Sequence, residues 1–265
     1  MYNYTLSQWL SFFFIYCFFG WVWESGYVSF THKKWTNRGF MKGPLLPIYG
    51  SGAMIILFAT LPLKDNLVLV FFSGMIAATL LEYITGATME YLFKVRYWDY
   101  SQRFLNVNGH ICLKCSLLWG FFSVILIRFG HVPVEKMVLK VPENILQIIV
   151  VVTVGLVGAD FATSFKTAID FKNLLMSLEI NTEELDRLKK RMDVTIAFAK
   201  DDLQDTKDRV NAKLDELNLQ RHLLKMEFES QMRYVKLLGR HPSARSVKFE
   251  DAFRIIKDNI AQRMN

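Results

Sequence analysis

The sequence predicts an all-α protein: a polytopic bundle of about five transmembrane helices over residues 1–165, followed by a coiled-coil or helical-hairpin domain over residues 166–265. Three observations carry this expectation. Hydrophobic residues make up 52% of the chain and Phe alone occurs 22 times, a composition on the apolar side of ordinary soluble domains. The apolar residues gather into five runs of about 20, the length that a hydrocarbon core demands of a helix. Charge is divided unequally: up to Phe165 there are 12 Lys and Arg with 8 Asp and Glu, and from Lys166 onward 20 with 17. A change of solvent along the chain, from lipid to water, accounts for that division.

The first run extends from Leu6 to Trp23 and ends on Trp21 and Trp23, side chains suited to headgroup depth. It is expected to stay as an anchor, because residues 1–5 carry no Lys or Arg and no small-residue cleavage site follows Trp23. The second run, Pro44 to Leu63, holds Pro47, Gly50 and Gly52 in its first turns. Two outcomes fit it: a broken helix start lining a cavity, or a helix that Pro simply initiates. The third, Leu67 to Phe93, would reach roughly 40 Å as a helix. The fourth covers about Ile111 to Ile127 and the fifth about Ile145 to Phe165.

Loop charge sets the expected orientation. Lys33, Lys34, Arg38 and Lys42 follow the first run, and Lys94, Arg96, Arg103 and Lys114 follow the third. The alternate connections carry Lys64 on one side, and Arg128, Lys136 and Lys140 on the other. The bias directs the N-terminus outward and the C-terminal domain to the cytoplasm.

After Phe165 there is no Gly or Pro from Leu174 to Leu238. Apolar residues recur there mostly every three or four positions, through Leu185, Leu188, Met192, Ile196, Ala199, Leu203, Val210, Leu214, Leu217, Leu224, Phe228, Met232, Val235 and Leu238. That is the seam of a coiled coil or a folded-back pair, and self-association of the chain is one way to cover it. Thr206 and Arg221 interrupt the seam, which favours a bent or folded-back arrangement over one unbroken parallel dimer. Gly239, His241 and Pro242 stop the helix. Val247, Phe249, Phe253, Ile256 and Ile260 then predict a short amphipathic helix able to dock on the seam.

Acids inside apolar runs are the chemically informative residues, because an ionised group at bilayer depth costs a few kcal/mol. Glu82 and Glu90 share a helical stripe with Thr85 and Gly86, roughly 12 Å apart along the axis. Glu24 closes the first run and Asp160 lies in the fifth; Arg38, Lys42, Asp99, His110 and Lys114 fall on the same side of the membrane. Glu24, Arg38, Glu82, Glu90, Asp99 and His110 therefore form the candidate polar site or pathway, in the cytoplasmic half of the bundle. Pairing of the acids with Arg38, Lys42, Arg96 or Lys114 is the purely structural alternative.

Other chemistries find little support. The formal charge of +7 comes without a basic stripe interleaved with aromatics, which argues against nucleic acid. Cys112 and Cys115 form a lone CxxC with no second pair, a weak basis for zinc. No GxxxxGK[ST], HExxH or GxSxG occurs, so no cofactor and no enzymatic activity are expected.

Several ordered motifs coincide: Asn37-Arg38-Gly39-Phe40, Gly43-Pro44, Pro47-Ile48-Tyr49-Gly50, Glu82-Tyr83 with Thr85-Gly86 and Glu90, Trp98-Asp99-Tyr100-Ser101, and Asn108-Gly109-His110-Ile111. Together they resemble the CmpB-like, ABC-transporter type IV family of bacterial membrane permeases, over about residues 6–130. The resemblance implies a multi-pass protein of the bacterial plasma membrane acting as a transporter permease. A permease of this kind would need a separate ATPase subunit, since this chain has no phosphate loop. A self-contained ion channel, or a membrane-anchored scaffold or sensor built around the C-terminal helices, are the alternatives.

Overall fold

The computed structural model describes residues 4–198, 211–223, 232–241, 243–254 and 256–257. Every named element among them is helical. Two compact units divide the chain: Met1–Leu92, Arg96–Lys166 and Gly239–Ala244 form the first, and Phe93–Val95, Thr167–Leu238 and Arg245–Asn265 the second.

In the first unit, α1 (Leu6–His32) begins at Thr5, whose hydroxyl caps the Gln8 amide while the Gln8 side chain returns to the Thr5 amide. This reciprocal box satisfies two otherwise orphaned donors. The helix runs nine residues past Trp23, where the first run was expected to end, because nothing from Glu24 to His32 breaks it. It stops where Lys33 adopts a left-handed φ of 51°. α2 (Pro47–Thr60) starts with Pro in its first turn, after Leu46 in extended conformation. The Pro-initiated helix is therefore the outcome at this entry. A 3-10 turn, Leu61–Leu63, closes it.

α3 (Leu67–Phe93) has the expected bounds. α4 (Leu113–Ile125) does not end in a loop: a π turn, Leu126–Gly130, leads directly into α5 (His131–Leu139). The fourth apolar stretch is thus Leu113–Leu139, and Arg128 and Lys136 lie within helix instead of the expected connection. α6 (Glu143–Phe198) passes Phe165 without a break.

Among the described residues four helices are long and apolar enough to cross a membrane: Leu6–Thr31, Leu67–Phe93, Leu113–Leu139 and Glu143–Glu184. Pro47–Leu63 is apolar but shorter, at roughly 27 Å for its α and 3-10 turns. Large apolar side chains such as Phe30, Phe72, Ile76, Leu80 and Leu156 point outward from these helices, as a surface in contact with lipid tails would.

Neighbouring helices alternate in direction. Near the middle of α1 the Cys17 carbonyl accepts from the Leu46 amide, whereas near its start Trp9 stacks on Phe58. Gly86 meets His110, just before α4, while Gly74 meets Ser123 near its end, so α3 and α4 are antiparallel as well. One end of the unit thereby gathers the start of α1, the end of α2, α5 and the start of α6. Its core is Phe12, Tyr16, Leu57, Val70, Ile127, Val134, Val138 and Leu146. The other end gathers the long loops.

In the second unit, α6 continues from Thr167, residues 211–223 form α7, and α8 is Met232–Gly239. Asn181 on α6 donates to Gln220 on α7, so the two helices lie side by side within one chain. Phe171 packs on Tyr234 and Phe253, and Glu179 accepts from the Ala252 amide. Leu174, Leu175 and Leu178 are buried. Of the expected seam, Leu217 is buried and Leu214 and Leu238 are half-buried. Ala199, Leu203, Thr206, Val210, Leu224, Phe228 and Ile260 lie outside the described residues, as do the side chains of Leu185, Leu188, Met192, Ile196, Met232 and Val235.

Candidate functional site

The sequence-predicted residues meet at the loop end of the first unit, in two adjoining networks. The first joins Glu24, Arg38 and Glu82. Helix α1 carries Glu24 one turn beyond the tryptophans; its Oε1 accepts from the Tyr49 hydroxyl at 2.8 Å and its Oε2 lies 3.5 Å from Arg38 Nε. Arg38 is fixed by its own backbone, whose amide donates to Ser25 Oγ. The Tyr49 ring lies 6.0 Å from the Trp119 ring, and Trp119 Nε1 donates to Glu82 Oε2 at 2.9 Å. Tyr100 donates to the other carboxylate oxygen at 3.3 Å.

Glu82 is only 6% exposed, yet its partners are two neutral donors. Among the described residues no Lys, Arg or His forms an ion pair with it, and the charge acting on it is that of Glu24. The cations proposed as clamps lie elsewhere: Lys42 Nζ donates to Thr163, Arg38 is taken by Glu24, and Arg96 by Glu90. Burial pushes the Tyr100 hydroxyl's pKa far up, with the Glu82 charge adding to it, so Tyr100 is a fixed donor at physiological pH.

The second network holds Glu90, Asp99 and His110. Arg96 Nε donates to Glu90 at 2.8 Å, and its NH1 lies 3.4 Å from Asp99 and donates to Ser101 Oγ. His110 Nε2 is 3.2 Å from the same Glu90 oxygen. Burial lowers the His110 pKa despite the opposing pull of Glu90, so the neutral ring donates Nε2–H to the carboxylate. Trp98 Nε1 donates to the His110 carbonyl, and the Tyr83 ring packs edge-on to the imidazole. Gly86 lets this loop lie on α3, since a Cβ there would meet His110 Nδ1 at 3.0 Å and Trp98 at 3.1 Å. Gly109 has φ +74° and no room for a side chain against Ser101, Arg96 and Asp99.

Asp160 acts on backbone instead. Its two oxygens accept from the Lys42 and Gly43 amides at 3.2 and 2.7 Å, tying the loop to α6. Residues 239–244 bind the neighbouring loop. Arg240 donates to the Phe40 and Met41 carbonyls, while Arg38 donates to the Arg240 carbonyl and to His241 Nδ1 at 3.2 Å. Burial, with Arg38 and Arg240 nearby, holds His241 well below the usual histidine range.

Tyr49, Tyr100, Trp119, Arg240 and His241 are functional neighbours that sequence reasoning missed. For Trp119 a signal existed: a buried indole in an apolar run needs an acceptor for its N–H, and Glu82 is the acid in the facing helix. Arg240 and His241 gave none, because their partners lie some 200 positions earlier.

Fold and site together define a polytopic helical membrane protein with a carboxylate-rich polar centre at one end of its bundle. The family model described as "Putative ABC-transporter type IV" matches residues 11–165, more than half of the chain, and the protein belongs to that family. It is thus a membrane protein of a transporter-related family. No curated protein and no solved structure matches the chain.

Proposed function

We propose that the chain is the permease subunit of a bacterial plasma-membrane transporter, with Glu24, Tyr49 and Glu82 forming its site for a cation or polar solute. The observation that carries the reading is Glu82, a buried acid in a membrane-length helix with hydrogen-bond donors and, among the described residues, no counter-charge. A carboxylate in lipid surroundings is costly unless a proton, a cation or water meets it, and a clamp would have its cation built in. Family membership supports the transport role. The absence of a phosphate loop in this chain makes a separate ATPase the matching partner.

In this reading α2 is the fifth crossing, its roughly 27 Å approaching the hydrocarbon thickness. The loop end then faces the cytoplasm, as Lys33, Lys34, Lys94 and Arg103 there support, and the C-terminal helices follow on that side. Purification of the native protein from its own membrane tests the proposal. An ATPase subunit should accompany it, with ATP turnover that Glu82→Gln uncouples from added solute. A chain that arrives alone and conducts ions in vesicles would replace this reading with that of a self-contained channel.

A further inference from the structure

A second polar constellation lies at the opposite end of α1, on residues that take no part in the site above. His131 is the first residue of α5, directly after the π turn Leu126–Gly130, and it is 3% exposed. The Tyr16 hydroxyl lies 2.9 Å from its Nδ1 and the Tyr4 hydroxyl 3.4 Å from its Nε2. Tyr4 in turn donates to Glu135 Oε1. The rings of Phe12 and Tyr4 stand edge-on to the imidazole at 5.1 and 6.1 Å. Glu135 is the charged group that acts on His131; the nearby Glu143, at the start of α6, is taken by the Thr5 hydroxyl at 3.0 Å.

Counting protons fixes the direction of every bond. An ionised carboxylate only accepts, so Tyr4 gives its single hydrogen to Glu135. The Tyr4 oxygen is then the acceptor for His131 Nε2–H. A neutral imidazole with hydrogen on Nε2 has Nδ1 as its acceptor, so Tyr16 donates there. The four groups form one polarised chain: Tyr16 O–H to Nδ1, Nε2–H to Tyr4, Tyr4 O–H to Glu135. Ionisable side chains placed within a membrane span offset the cost of their burial only with partners of this kind, and π turns recur at such positions.

We propose that Tyr16, His131, Tyr4 and Glu135 form a proton relay site, whose ligand is a proton: the buried Tyr16 hydroxyl is the end that a water or hydronium must reach, and the partly exposed Glu135 the end that opens to solvent. In the transfer, Tyr16 accepts the incoming proton as its own O–H breaks and Nδ1–H forms. Nε2–H then breaks as a new Tyr4 O–H forms, and the original Tyr4 hydrogen passes to Glu135, which is partly exposed and releases it. One proton enters and one leaves; His131 ends neutral with hydrogen on Nδ1, and side-chain rotation restores the starting tautomer. The relay does not rest on the proposed permease role.

Nitrogen NMR of the full chain in lipid nanodiscs, with ¹⁵N-labelled histidine, tests it, the His131 signals being those lost in His131→Gln. At about pH 9 His131 should be the Nε2–H tautomer, and it should take up a proton or change tautomer between about pH 9 and about pH 5. Tyr4→Phe, which keeps the ring, and Glu135→Gln should each abolish the fixed tautomer at high pH, whereas Glu143→Gln should leave it. Melting curves identify any variant that has not folded, and either Tyr4→Phe or Glu135→Gln alone suffices. A single neutral tautomer across the whole range overturns the proposal and makes His131 a passive clamp. So does a pH response that persists unchanged in both variants, or hydrogen on Nδ1 at high pH.

Discussion

Replacing Glu82 by Gln removes a charge while preserving shape, and the geometry around it sets the expected cost. The two carboxylate oxygens receive Trp119 Nε1 at 2.9 Å and the Tyr100 hydroxyl at 3.3 Å. Gln offers one oxygen, so one donor loses its acceptor and faces an amide NH2. Hydrogen bonds to a charged group contribute about 1.5–3 kcal/mol, and that is the loss. Against it stands the removal of an ionised acid without counter-charge from a membrane helix, worth about 2.5–3.5 kcal/mol on insertion scales. The two nearly offset, and Glu82→Gln should remain within about 1 kcal/mol of the parent, a shift of only a few degrees in thermal midpoint at about 2–4 °C per kcal/mol. Trp119→Phe removes a donor and keeps the charge, so it should cost about 1–3 kcal/mol; in the Glu82→Gln background most of that cost should vanish. Differential scanning of the four proteins in one detergent reads all these terms. A Glu82→Gln protein melting more than about 3 kcal/mol below the parent would refute the reasoning, because only a hidden cationic partner left unpaired produces so large a loss.

Gly109→Ala should destabilise the loop by about 2–4 kcal/mol, combining a left-handed φ of +74° with a Cβ within 2.5 Å of Ser101 Oγ; a melting curve like the parent's would contradict this. The contact of residues 239–244 with the loop around Arg38 should weaken in acid. His241 has a folded-state pKa below its unfolded one, so its contribution is complete above about pH 6.5 and is lost as the pH falls below that value. Thiol labelling of Ala244→Cys should accelerate under those conditions, and His241→Gln should flatten the response. Thr5→Ala should cost about 1 kcal/mol from the lost cap, read by thermal unfolding. Labelling of whole cells with an impermeant thiol reagent should reach Asn66→Cys and miss Lys34→Cys; the reverse pattern would invert the proposed topology.

What the sequence disclosed depended on the range over which each signal acts. Helix α3 was legible to the residue because its apolar run starts after Asn66, a capping residue that accepts from the Val68 and Leu69 amides, and ends at the polar loop from Lys94. The extension of α1 to His32 was not, since hydropathy marks where lipid ends and says nothing of where hydrogen bonding ends. The continuation of α4 into α5 was hidden for the related reason that Arg128 and Lys136, residues at home in a loop, are also good helix formers. Among the site residues, the spacing of Glu82, Gly86 and Glu90 placed them on one face of α3. Their pairing was beyond reach: Arg96 and Lys114 were equally credible partners, and a folded loop with left-handed Leu105, Asn108 and Gly109, at φ 48°, 53° and 74°, decided for Arg96. Glu82 received neutral donors because Trp119 and Tyr100 converge from two elements that no local pattern links.

The two polar constellations of the first unit are joined by α1, and the packing between them bears on transport. Tyr16 and Glu24 are eight residues apart, roughly 12 Å along the helix. Across that interval Cys17, Ala53, Ile56 and Leu57 are buried, and the Thr79 hydroxyl of α3 is buried with no hydrogen-bond partner among the described residues. The Thr60 hydroxyl donates to its own helix at Ile56, as Ser123 does at Trp119. Those two hydroxyls give their hydrogens to the backbone and so donate to neither centre. The two polar centres are thus separated by a mostly apolar layer. A permease needs such a layer, because a site open to both sides at once would leak. On the proposed permease reading, opening it would shift α1 against α2, breaking the contacts between Cys17 and Leu46 and between Trp9 and Phe58.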